Sequence, residues 1–103
     1  MSEKEKYQYR EIGARLRAIR ESTGMNTKEF AAFLELNYTR YVNWETGARR
    51  LLPDQAEIFC DRFSVTLDFI YRGKLAQLPE NILKAVASIP RESAQSTSNE
   101  SPD

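Results

Sequence analysis

Three of the four glycines, Gly24, Gly47 and Gly73, stand directly after short runs with helical apolar spacing. Glycine in that place supplies the left-handed residue that closes an α-helix. Side chains able to cap a new helix follow or precede the next runs: Asn26, Asn37 and Thr66. Asn26 has Glu29 three residues on, the spacing of a capping box. No long stretch alternates with period two, so strands are not expected. This punctuation restricts the chain to an all-α bundle of short helices.

Five helices are expected in a compact bundle. Tyr9, Ile12, Leu16 and Ile19 share a face of the first, which ends at Gly24. Phe30, Ala31 and Leu34 form the buried stripe of the second, with Met25 placed to staple onto Phe30. Leu36 is placed to staple onto Tyr41, Asn37 caps the third helix, and Gly47 closes it after Thr46. Pro53 suits the first turn of a fourth helix, whose apolar face carries Ala56, Phe59, Cys60 and Phe63. Thr66 opens a short fifth, "LDFIYR", ending at Gly73.

The spacing of "LPENILKAVASI" fits a sixth, C-terminal helix, with Leu83 and Val86 on one side and Ile82 and Ile89 on the other. Residues 90–103 hold no aliphatic side chain larger than alanine, so a disordered tail is expected there. The expected organisation is a domain over 1–73, a helical extension over 74–89 and the tail.

At 103 residues the chain is one small domain. It has one cysteine and no histidine, which excludes an internal disulfide and a Cys/His zinc site. Cys60, on the apolar face of its helix, reads as a small core residue. No apolar run approaches the length of a membrane span, and the opening "MSEKEKYQYR" is charged. A cytoplasmic protein without membrane contact, metal or cofactor is expected. Nothing pairs a nucleophile with a base or forms a glycine-rich phosphate loop, so an enzyme is not expected.

Net charge is zero, but it is unevenly spread. Residues 1–50 carry ten Lys/Arg against seven Asp/Glu, and residues 51–103 carry five against eight. The N-terminal half is the side suited to a polyanion. Within it, "NYTRYVNWETGARR" stands out. On a helix, Tyr41 and Trp44 take one side, flanked by Glu45. Thr39, Asn43 and Thr46 point the opposite way, with Val42 beside them and Tyr38 at the exposed first turn. Small hydrogen-bonding groups with a methyl-bearing edge complement a DNA major groove: asparagine can pair with adenine, and a methyl can meet that of thymine. An ordinary polar surface helix has the same composition.

The second and third helices are joined by the short turn Glu35-Leu36-Asn37, which is helix-turn-helix spacing. Over residues 9–73 the chain resembles the Cro/repressor-type helix-turn-helix family, the lambdoid phage repressors and their bacterial relatives. The matching signs are Arg17–Arg20, Gly24–Asn26, Phe30–Ala31, Trp44–Gly47 and Ser64–Asp68, in joint order and spacing. The resemblance implies that Tyr38–Thr46 is a recognition helix. Tyr38, Thr39 and Asn43 would face base edges, with Arg40 and Val42 as further readers. Thr27, at the start of the preceding helix, would meet a phosphate, and Thr46, Arg49 and Arg50 would clamp the DNA backbone. Arg20 and Glu45 would form an ion pair tying the first helix to the recognition helix. The chain departs from the pattern twice: Glu35 stands where relatives commonly place glycine, and the recognition helix has a single cation, Arg40.

The function so implied is a transcriptional repressor that binds duplex DNA as a homodimer on a two-fold-symmetric operator. Leu67, Phe69 and Ile70 are expected dimer contacts, because "LDFIY" holds more apolar side chains than one short helix can bury alone. Leu83, Val86 and Ile89 add apolar surface that a 73-residue core does not need and either extend that contact, the favoured expectation, or pack back on the monomer. An antitoxin-like protein that also binds a toxin through Lys74–Asp103 is the alternative within the same fold. A protein-interaction module without DNA binding is the third reading, and the neutral charge is its support.

Overall fold

The computed structural model describes the backbone of residues 3–88 and the side chains from Gln8 to Ser88. It contains six helices: α1 Glu3–Thr23, α2 Thr27–Phe33, α3 Tyr38–Thr46, α4 Pro53–Phe63, α5 Leu67–Arg72 and α6 Glu80–Ser88. No strand occurs among the described residues. The expected tail, 90–103, and Ile89 lie outside them.

Local chemistry sets the helix ends. Asn26 Oδ1 accepts the Glu29 amide at 2.8 Å, and Glu29 Oε1 accepts the Asn26 amide at 3.0 Å, completing the capping box. Asn37 Oδ1 takes the Arg40 amide at 2.9 Å, and Thr66 Oγ1 takes that of Phe69 at 3.0 Å. Leu52, before α4, has no capping side chain; its own amide donates to Gln55 Oε1 at 2.9 Å, and Pro53 follows as the first helical residue. α1, α3 and α5 each end on a glycine with positive φ, as expected.

The turn between α2 and α3 keeps its glycine-type geometry without glycine. Glu35 has φ 59°, its amide donates to the Ala32 carbonyl at 3.0 Å, and the Leu36 amide donates to that of Ala31 at 2.8 Å. Those two bonds close a helix in the Schellman pattern. Glu35 bears the left-handed conformation at a cost of about 1 kcal/mol, and Leu36 packs on the core beyond it.

Aromatic rings fill the centre. Phe30 meets Tyr41 edge-on at 5.3 Å between centroids and stacks on Phe63 at 5.5 Å, while Trp44 stands edge-on to Phe59 at 6.3 Å. Cys60 is half-buried beside this core, and burial pushes its thiol above the ordinary range.

Two expectations about the C-terminal half are corrected. Phe69 and Ile70 are 1% and 0% exposed, so they are core residues of the monomer and not dimer contacts. The reason is that α5 is covered from more than one side: it packs on both α1 and α4. Arg15 fastens it, donating from Nη1 to the Ile70 carbonyl at 2.9 Å. Second, α6 completes the same core. It lies against α1, with Ile82 and Ala85 buried and Leu78 buried just ahead of it. Leu83 is 36% exposed, and Val86 is half-buried against the core. Ending the chain at Gly73 would uncover this part of α1.

Candidate nucleic-acid interface

What fixes α3 is its inner edge. Tyr41 and Trp44 are buried, as their spacing on the helix requires. Beside them the backbone of α3 touches that of α1 at Gly13. A Cβ there would lie 2.1 Å from the Glu45 carbonyl oxygen and 2.7 Å from that of Trp44. Only glycine permits this approach, although in a helix interior it costs about 1 kcal/mol relative to alanine.

Arg20 and Glu45 form the expected ion pair, and it is bidentate. Nε donates to Oε1 and Nη2 to Oε2, both at 2.9 Å. The side chains are 14% and 12% exposed. Arg20 Nη1 also donates to the Met25 carbonyl at 3.0 Å, and the Tyr41 hydroxyl donates to Glu45 Oε1. The Arg20–Glu45 pair therefore ties α1, the turn after it and α3. The hydrogen bonds to Glu45 raise the Arg20 guanidinium further above its ordinary range. Burial, with the Glu45 carboxylate adding to it, drives the Tyr41 hydroxyl far above its usual range, so it remains a donor.

The outer edge of α3 is open. Tyr38 is 48% exposed; Thr39, Arg40 and Thr46 are exposed, and Val42 and Asn43 half-buried. Past Gly47 the chain folds back, the Arg49 amide donating to the Asn43 carbonyl at 3.0 Å. That return sets exposed Arg49 and Arg50 beside the end of α3. The loop is pinned from α5, where the Tyr71 hydroxyl donates to the Leu51 carbonyl at 2.8 Å. Eight expected residues thus lie on α3 and the loop after it, all exposed or half-buried: Tyr38, Thr39, Arg40, Val42, Asn43, Thr46, Arg49 and Arg50. Thr27 stands apart, half-buried in the first turn of α2, with no hydrogen bond to α3 among the described residues.

Sequence reading missed Gly13. The signal was a glycine inside an amphipathic helix, which often marks close packing. No group of three or more metal-ligating side chains occurs among the described residues. None of the described helices is long and apolar enough to cross a membrane.

A scan against models of protein families finds no match, and no curated protein or solved structure matches the chain. The functional reading rests on geometry and on the residues.

Proposed function

We propose that the chain is a duplex-DNA-binding transcriptional repressor of the Cro/repressor-type helix-turn-helix family, working as a homodimer on a two-fold-symmetric operator. One observation carries the reading. α3 is locked against α1 by a bidentate ion pair and a backbone contact, while its outer edge offers small polar groups instead of a Glu/Lys surface. A helix that only covers a core does not need its rotation and depth fixed so tightly; one that reads base edges does.

Thr39 and Asn43 are the base readers with Tyr38, Arg40 and Val42 around them, and Thr46, Arg49 and Arg50 hold phosphates, with Thr27 as an outlying contact. Two protomers set their α3 helices about 34 Å apart to enter successive major grooves. Duplex selection from a random pool with the purified full chain tests this. Two-fold-symmetric sites are expected, with Asn43→Ala relaxing preference at one base pair by about 1–3 kcal/mol and Arg50→Ala weakening all sequences alike. Recovery of no preferred sequence at low salt overturns it.

A protein partner on the C-terminal segment is a second reading, favoured by Leu75 and Leu83, exposed at 50% and 36%.

A further inference from the structure

Three of the four arginines on the described part of α1 have a structural partner. Arg15 bonds the Ile70 carbonyl, Arg17 pairs with Glu21 at 3.1 Å, and Arg20 pairs with Glu45. Arg10 is the fourth. It is exposed, and no carboxylate among the described residues pairs with it.

Its position is set by Gly47, the left-handed cap of α3. A Cβ on Gly47 would lie 2.9 Å from both Cα and N of Arg10 and 2.7 Å from its Cγ. The end of α3 therefore rests directly on α1 at Arg10, next to the loop that carries Arg49 and Arg50. A second contact joins the same segments: Gln8, Tyr9 and Ile12 line a groove of about 300 Å³ together with Arg50, Leu51 and Tyr71. The Gln8–Ile12 segment of α1 and the arginine loop adjoin each other, brought together by the fold from distant parts of the chain.

We infer that Arg10 is a third arginine contact to phosphate beside Arg49 and Arg50, so that α1 extends the backbone-binding surface beyond the α2–α3 unit. This rests on the DNA-binding reading above. The ligand is the phosphodiester backbone of the same duplex, and the contact is blind to sequence, because a guanidinium on phosphate positions a protein without reading bases. The competing role for Arg10 is purely structural: a cation at the end of α3 complements the helix dipole, and its stem covers Gly47.

Three variants of the full chain separate the two. Arg10→Met keeps the stem and removes the charge; Arg10→Lys keeps the charge; Arg17→Met is the control on the same helix. Binding to a duplex from the selection is measured from 50 to 200 mM salt. Arg10→Met is expected to lower the slope of log affinity against log salt by about 0.9 per protomer, equally on selected and unrelated duplexes. That slope change makes its affinity deficit about 3–4-fold per protomer greater at 50 than at 200 mM. Arg10→Lys and Arg17→Met are expected to keep the wild-type slope. An unchanged slope in Arg10→Met overturns the proposal. So does equal weakening by Met and Lys with a lowered thermal midpoint, which marks a structural role. If the wild type binds no duplex at any salt, the DNA-binding reading fails first and takes this contact with it.

Discussion

α3 and α6 are both nine-residue helices lying on α1, but they are held by different means. α6 is held by apolar burial: Ile82 enters the core, and Ala85 and Val86 pack with Ala18. Among the described residues, no side-chain hydrogen bond joins it to another helix. α3 has buried rings too, but it adds directional contacts: the two-pronged Arg20–Glu45 pair and the backbone meeting at Gly13. Apolar burial is non-directional, so it decides that a helix docks more than how it is turned. A bidentate pair and a backbone contact decide rotation and depth. The directional contacts sit on the helix whose outer edge is proposed to be read.

The sharpest way to break this contrast is to remove one partner of the pair. Arg20→Met leaves the Glu45 carboxylate nearly buried and uncompensated. A loss of about 3–5 kcal/mol is expected, of which the double variant Arg20→Met/Glu45→Met recovers most. Urea unfolding of the single and double variants measures it; additive losses would show that the two side chains act separately. On α6 the corresponding test is Ile82→Ala, which is expected to cost about 2–4 kcal/mol through lost burial and the cavity left. It should leave DNA affinity, corrected for the folded fraction, unchanged. A specific loss of affinity would erase the distinction between the two helices.

Gly13→Ala comes next and has a sign that tells. Helix propensity favours alanine by about 1 kcal/mol, yet its methyl would overlap the Glu45 backbone. We expect a net loss of about 1–3 kcal/mol together with weaker DNA binding, since α3 must move outward. A gain in thermal stability would show that the contact is loose.

Alkaline pH probes the same edge. Tyr41 stays neutral in the fold, whereas in the unfolded chain it ionises near pH 10. Above that pH the folded state holds the proton that the unfolded state has lost, so stability falls as pH rises. The expected slope from Tyr41 is about 1.4 kcal/mol per pH unit, and below pH 9 the group has no effect. Unfolding free energies between pH 9 and 11.5 measure it, with Tyr41→Phe flattening the decline. Burial raises the Tyr71 hydroxyl in the same direction, so some slope should survive in that variant.

The sequence was most legible where the determinant is local. Asn26, Asn37 and Thr66 cap helices whatever lies around them, so the starts of α2, α3 and α5 could be read directly. The left-handed Glu35 could be anticipated as one way for the turn to close without glycine. Arg20 and Glu45 were legible only through the resemblance, because nothing in either local pattern points to a partner on another helix. Gly13 was not legible in its role, since its reason is a backbone on another helix. Phe69 and Ile70 were misjudged for a related cause. An apolar count on a six-residue helix assumes one covered side, and α5 is covered by both α1 and α4. In α6 the expected pair differ in burial, Val86 packing on the core and Leu83 standing 36% exposed, a difference that spacing on one helix does not reveal.

That difference leads to the smallest effect on stability and a direct test of the dimer. With Phe69 and Ile70 inside the core, the expected contacts left for a second protomer are Leu67, Leu83 and Val86, and only Leu83 is exposed. Leu83 is 36% exposed, so Leu83→Ser gives up part of its buried surface and monomer stability should fall by about 1 kcal/mol. If the outer side of α6 joins two protomers, the same change exchanges an apolar contact for a hydroxyl at the interface. Sedimentation should then show the monomer–dimer equilibrium moved toward monomer at tens of micromolar protein. DNA affinity should fall with it, because one helix-turn-helix unit reads too few base pairs to select a site by itself. Lost self-association with no larger loss of stability would make α6 a helix with two uses: its inner side closes the core without directional contacts, and its outer side sets the distance between recognition helices. Unchanged self-association would move the interface off α6, leaving Leu83 as a solitary surface leucine of the sort most folded proteins carry.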